Sequence, residues 1–207
     1  MLILYVFLTF LTACTRCYQT CGPKGRCDLS RGCPTGWRGF QRPYGRWCIK
    51  TFSGMMAASA ATLDCSSVNA SLSGMQNEEE KRFVIDDLLP QVSVATGMVW
   101  LGMNRQPMCY SSSNITLCSP EDRDAFYWTD GSTRGYDMFN WHGTAPQLNS
   151  CGMMFVSNSS VQVDTGTAGV WYPGQILDVS CDALTATGSL KSIGYVCGMI
   201  PNLYSSS

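Results

Sequence analysis

Cysteine is the residue type with which this chain can do most chemistry. Twelve cysteines occur in 207 residues, a density that belongs to an oxidising compartment where disulfides persist. Cys14, Cys17, Cys21 and Cys27 form a Cys-x2-Cys-x3-Cys-x5-Cys run. Zinc is the other use of such spacing, but no histidine lies nearby, so disulfides are expected. A cysteine left over from this run would link two chains, which makes Cys17, Cys21 or Cys27 the candidates for a disulfide-bonded dimer. Three glycosylation sequons point the same way: Asn69-Ala70-Ser71, Asn114-Ile115-Thr116 and Asn158-Ser159-Ser160. All three are usable only in a protein that enters the secretory route.

Catalysis has little to build on. His142 is the one histidine, and any Ser-His-Asp or Cys-His arrangement would have to use it. It lies in a loop and reads as a solvent-exposed residue. Asp86 and Asp87 fall on a predicted helix surface, with no reason for a raised pKa of the kind glycoside hydrolysis needs. No Gly-rich phosphate loop occurs. The chain is therefore read as a non-enzyme, a small secreted hydrolase being the weakest alternative. Aromatic side chains offer binding chemistry instead. Trp128, Trp141, Trp171, Tyr136 and Tyr172 are rings able to stack on sugars or fill a partner's pocket. Trp128 and Trp141 are expected in the core. Trp171-Tyr172-Pro173 reads as an exposed loop tip, with burial as the alternative.

These residues need a scaffold. Hydrophobic residues make up 45% of the chain and charged residues 14%, a globular composition with a surface rich in Ser, Thr, Asn and Gly. The net charge of −1 excludes a nucleic-acid binder of the basic type. Residues 16–50 hold eight Lys/Arg against Asp28, and the rest holds six against fourteen acids. The basic residues are dispersed, so this strip is read as an ordinary solvated face. Residues 2–13 form an apolar run too short to cross a bilayer and suited to a signal-peptide core. Cleavage after Ala13 leaves twelve cysteines, and cleavage after Thr15 leaves eleven. Secretion to the extracellular space is expected.

Strands and helices follow from pattern. Trp47-Cys48-Ile49-Lys50-Thr51-Phe52 and Met98-Val99-Trp100-Leu101-Gly102-Met103 read as strands. Cys33 and Cys48 bracket a short hairpin and are positioned to close it. Met55 to Cys65 reads as a helix with Ala58, Ala61 and Cys65 on its inner face. Asn77 caps a second helix, with Glu78, Glu79 and Glu80 in the first turn where the helix dipole favours negative charge. Phe83, Val84 and Leu88 make its apolar stripe, Glu78 and Arg82 an i,i+4 pair, and Pro90 its stop.

Taken in order, several segments resemble the long form of the C-type lectin-like domain over about residues 33–200. They are Cys33-Pro34-x-Gly36-Trp37, Trp100-Leu101-Gly102-Met103, Trp128-Thr129-Asp130-Gly131-Ser132, Ala145-Pro146-Gln147 and Gly194-Tyr195-Val196-Cys197. The resemblance implies an α+β fold: two helices on a twisted, mostly antiparallel sheet, a long loop region, and disulfides. It implies the pairs Cys33–Cys48, Cys65–Cys197 and Cys151–Cys181, with Cys109 and Cys118 closing a private loop around Asn114. Four regions result: a signal peptide at 1–15, a Cys-rich extension at 16–32, the lectin-like domain at 33–200 and a tail at 201–207.

The resemblance also implies a ligand site, and the residues there depart from the family. Sugar-binding members hold a calcium ion with Glu-Pro-Asn, a following Glu and an Asn-Asp pair. Here Ala145-Pro146-Gln147 stands in the first place, and Ala145 offers no oxygen. Gln147 keeps an amide oxygen, and Asn149 stands near the second Glu. Leu177-Asp178 stands where the Asn-Asp pair would be. At most one carboxylate survives, too few for a hard dication that takes six to eight oxygens. Asp178 is thus a weak metal candidate, better read as a hydrogen-bond acceptor that braces the loop. No cofactor is expected and calcium is disfavoured. The candidate ligand residues are Gln147, Asn149, Asp178, Trp171 and Tyr172. The expected partner is a glycan or another extracellular ligand, reached without the usual calcium site. A calcium-independent protein- or lipid-binding module is the alternative. Pro146 is expected to shape the loop through a cis peptide.

Overall fold

The computed structural model describes residues 32–110, 118, 125–143, 145–146, 149–166, 169–183 and 190–201. The signal peptide, Cys14, Cys17, Cys21, Cys27, Asn114, Gln147 and the tail from 202 onward lie outside the described residues.

Strand β1 (Arg38–Arg42) turns into β2 (Gly45–Ser53). Helix α1 (Ala58–Ser67), the short β3 (Ser71–Leu72) and helix α2 (Glu78–Leu88) follow. The core strand is β4 (Thr96–Arg105), and β5 spans Phe126–Trp128. Then come β6 (Cys151–Ser157), β7 (Val163–Asp164), β8 (Val170–Trp171), β9 (Ile176–Val179) and β10 (Ser192–Met199). The main sheet runs β1-β2-β10-β4-β6-β9, with β3 added to β10 and β5 to β4. Its pairs are antiparallel except β10 with β4. The last strand thus slots between β2 and β4, and the two ends of the described chain close on each other. β7 and β8 form a separate ribbon.

Alternation along the strands explains the two-sided core. Val99, Leu101 and Met103 of β4 face one cluster with Val84 and Leu88 of α2. Met98 and Trp100 face the other, with Ala58, Ala61 and Cys65 of α1. A strand's side chains alternate faces, so a strand buried on both sides reads as one apolar run. The small alanines let α1 lie close to the sheet, where Trp100 donates its indole N–H to Met56 O at 2.7 Å. Gly102 is required by a close approach: a Cβ there would overlap the Leu72 carbonyl.

Among the described residues four disulfides are present: Cys33–Cys48, Cys65–Cys197, Cys109–Cys118 and Cys151–Cys181. They are the pairs that the resemblance implies. Asn77 caps α2, its Oδ1 accepting from Glu80 N at 3.0 Å.

Three expectations change. The first helix starts at Ala58, three residues later than read, and runs on to Ser67. Glu78 pairs with Lys81 one turn on, not with Arg82, while Phe83 is half-buried against Phe40. Arg42, read as part of a solvated basic face, is 2% exposed. Its guanidinium grips Glu80 through Nε–Oε1 and Nη2–Oε2, both 2.8 Å. Nη1 reaches Asp130 Oδ2 and Thr133 Oγ1, each at 3.0 Å. Nη2 also donates to Gly74 O, and the group lies over the Trp47 ring. A buried arginine is tolerated when its whole fork is bonded like this.

Candidate ligand-binding site

The long loop between β5 and β6 is held at its base by Asp130. Its Oδ1 accepts from the N–H groups of Ser132 and Thr133 at 2.9 and 2.8 Å. Its Oδ2 accepts from Thr133 Oγ1, Gly74 N and Arg42. Burial on its own pushes this carboxyl up, yet the Thr133 hydrogen bonds, the Arg42 charge and the Ser132 N–H outweigh it. The net pKa lies below the ordinary carboxylate value.

A ladder of rings then carries the loop across the sheet. Trp128 meets Phe139 at 4.5 Å, Phe139 meets Trp141 at 5.6 Å, and Trp141 meets Phe126 at 5.0 Å. Trp128 donates its N–H to Gly135 O. Trp128 and Trp141 are therefore structural, as their predicted core role requires. The Ala145–Pro146 peptide is cis.

His142 is not a free loop residue. Its ring stacks on Trp171 with centroids 3.6 Å apart and planes nearly parallel, and Nε2 lies 3.0 Å from Val170 O. Trp171 is sandwiched in turn against Phe155 and is only 2% exposed. The reading of Trp171 as part of an exposed tip is corrected by this burial, because alternation in β8 turns it inward. Tyr172, one residue on, turns outward and is 51% exposed. Its hydroxyl donates to Gln162 Oε1 at 3.0 Å, and its N–H to Gln175 Oε1.

Asn149 and Asp178 come together, though not as a pair of cation ligands. Asp178 Oδ2 accepts from Asn149 N at 2.9 Å, and Asn149 Nδ2 donates to the Asp178 carbonyl at 3.1 Å. Arg105, the last residue of β4, adds its Nη2 3.6 Å from the same Oδ2. Its Nε donates to Asn149 O at 2.8 Å, and its guanidinium lies over the Phe126 ring. Burial draws the Arg105 pKa down, while the Asp178 charge and hydrogen bond push it back. Both side chains are almost fully buried. The residues present do not fit a calcium ion. The one carboxylate in place is already paired with a fixed cation, and Asn149 turns its N–H toward it. Among the described residues no cluster of three His, Cys, Asp or Glu stands together to hold a metal.

Arg105 and Arg42 were missed in the sequence because an arginine at a strand end looks like a solvated terminus. The one available signal for Arg105 is its place directly after the apolar run of β4.

The family model for C-type lectin domain-containing protein 141/158 matches residues 41–200. The chain belongs to this C-type lectin domain family. No curated protein sequence matches it. Among solved structures the lectin domain is similar to a Ca2+-dependent type II antifreeze protein in its Ca2+-free form. That match has 19% identity, covers 81% of this chain and 100% of the other, and has a TM-score of 0.49. Human lithostathine matches at 19% identity, over 87% of this chain and 96% of its own, with a TM-score of 0.49. The carbohydrate-recognition domain of mouse scavenger receptor C-type lectin matches at 18% identity, over 83% and 99%, with a TM-score of 0.48.

Proposed function

We propose that this C-type lectin domain is an extracellular recognition module that binds carbohydrate or another extracellular ligand without a calcium bridge. The buried Arg105–Asp178 pair carries the reading. In the calcium-bridged mode the ion both orders the loop and ligates the sugar. Here the Arg105 guanidinium and the Asn149 backbone N–H hold the Asp178 carboxylate from within the chain. A permanent cation at this place raises the electrostatic cost of adding a dication. Of the candidate residues, Asp178 and Trp171 position the loop from beneath. Asn149, Gln147 and the exposed Tyr172 and Tyr136 remain for contact. Secretion fits the four disulfides. No helix among the described residues is long and apolar enough to cross a membrane.

Calorimetric titration with calcium tests the reading directly, and no saturable binding in the millimolar range is expected. A dissociation constant below about 1 mM, the weak end for extracellular sites, overturns it. A glycan array read with and without EDTA then separates the ligands. EDTA-insensitive glycan signals support carbohydrate recognition. A silent array beside binding to an extracellular protein or a lipid vesicle moves the ligand to that class.

A further inference from the structure

We propose that Asn158 carries an N-linked glycan and that the sugar nearest the protein lies in the groove between α2 and the Tyr172–Pro173 tip, over the Tyr172 ring. The groove holds about 420 Å³. Asn158 lines it together with Lys81, Arg82, Asp86, Tyr172 and Pro173. The occupant is therefore specified by the groove's own wall, which contains the acceptor asparagine of an Asn-Ser-Ser sequon.

Several features suit this occupant. Asn158 sits just after β6 and is exposed, and its side chain has no hydrogen bond to a described residue. Its backbone N–H donates to Ala95 O, just before β4. Tyr172 is half-exposed and held at both ends, through its hydroxyl to Gln162 and its N–H to Gln175. A fixed aromatic face is the surface that a pyranose ring stacks on. Beside the groove, Gly174 has a positive φ of 92° and no side chain, which lets the stem of Lys81, one of the lining residues, lie against it. Lys81, Arg82 and Asp86 put donors and acceptors on the opposite wall, where sugar hydroxyls and the N-acetyl group find partners. Asn69 lacks this setting: it is exposed at the end of α1.

The chemistry is a glycosyl transfer from a lipid-pyrophosphate-linked oligosaccharide, the donor of the secretory route. The Asn158 Nδ2 forms a bond to the sugar's anomeric carbon as the bond from that carbon to the pyrophosphate oxygen breaks. One amide proton leaves, and lipid pyrophosphate is released. This inference rests on the reading of the chain as secreted. It also makes the sugar partner of Tyr172 intramolecular, leaving the Gln147–Asn149 segment and Tyr136 for an external ligand.

The test expresses the full chain in insect cells with its own leader and, in parallel, with the leader of another secreted protein. Glycopeptide mass spectrometry reads occupancy at Asn158. Hydroxyl-radical footprinting then compares wild type with Asn158→Gln and Ser160→Ala, which remove the acceptor and its hydroxyl partner separately. Near-UV circular dichroism checks that both variants fold. Oxidation of the half-exposed Tyr172 ring should be at least about two-fold slower in the glycosylated wild type than in either variant. Tyr44, outside the groove, should react equally in all three. Export only with the borrowed leader, with Tyr172 protected, sustains the glycan site and counts against the secretory reading alone. A bare Asn158 on exported protein, or a glycan that leaves Tyr172 oxidation unchanged, overturns the proposal.

Discussion

Arg105 decides more about this lectin domain than its place at a strand end suggests. Replacing it with Ala leaves the Asp178 carboxylate buried opposite Asn149 without its cation. Removing one partner of a buried pair costs about 3–5 kcal/mol, so Arg105→Ala should lower the unfolding free energy by that order in urea titrations. An Arg105→Met, Asp178→Leu double variant should recover only part of the loss: it removes the unpaired buried charge but leaves the Asn149 N–H and C=O without these partners. A double variant no better than Arg105→Ala would show that the Asn149 hydrogen bonds and the packing on Phe126, not the charge pair, carry the loss. Asp130 gives a pH prediction. Its folded pKa is depressed below the unfolded value, so its contribution is present above the unfolded pKa, about 3.9. That contribution is lost as pH falls through the lower folded value. Thermal unfolding followed from neutral to acid pH should show a steep loss in wild type. Asp130→Asn, already unstable at neutral pH, should show a flatter acid limb.

Elements explain which parts of the site were legible beforehand. The start of α2 was readable because capping is local: Asn77 and the N–H it accepts from are three residues apart. Asn77→Ala should therefore cost about 1 kcal/mol in a denaturant titration. Glu80 was read as a first-turn acid and is one, but its carboxylate also crosses to β1 and holds Arg42. That second role pairs residues 38 positions apart, which no local pattern encodes. Trp171 and Tyr172 show the same divide. Both are aromatic, adjacent and turn-flanked, and only the pairing of β8 with β7 decides which faces inward.

For the whole molecule, closure is the dominant constraint. Cys65–Cys197 spans 132 residues and ties α1 to the central strand β10. Cys109–Cys118 spans nine. Loop-closure entropy gives about 5 kcal/mol for the first and about 2.6 kcal/mol for the second. Replacing both cysteines of each pair with Ala should reproduce that order in guanidinium unfolding. Equal losses would mean that strain or residual structure in the unfolded chain outweighs loop length. Periodicity and capping made the two helices and the strands β2 and β4 legible, and the motif order from Cys33 to Cys197 carried the family resemblance that implied the fold class and the closing strand. Each of these depends on periodicity, capping or order along the chain. What only the tertiary structure decided is how the charges pair: Arg42 with Glu80 and Asp130, and Arg105 with Asp178. These partners lie far apart in sequence: β6 bridges β4 to β9 and so brings Asp178 to Arg105, while Arg42, Glu80 and Asp130 converge from β1, α2 and the turn after β5. A charge's meaning depends on what desolvates and faces it, and that is a property of the folded neighbourhood, not of the residue.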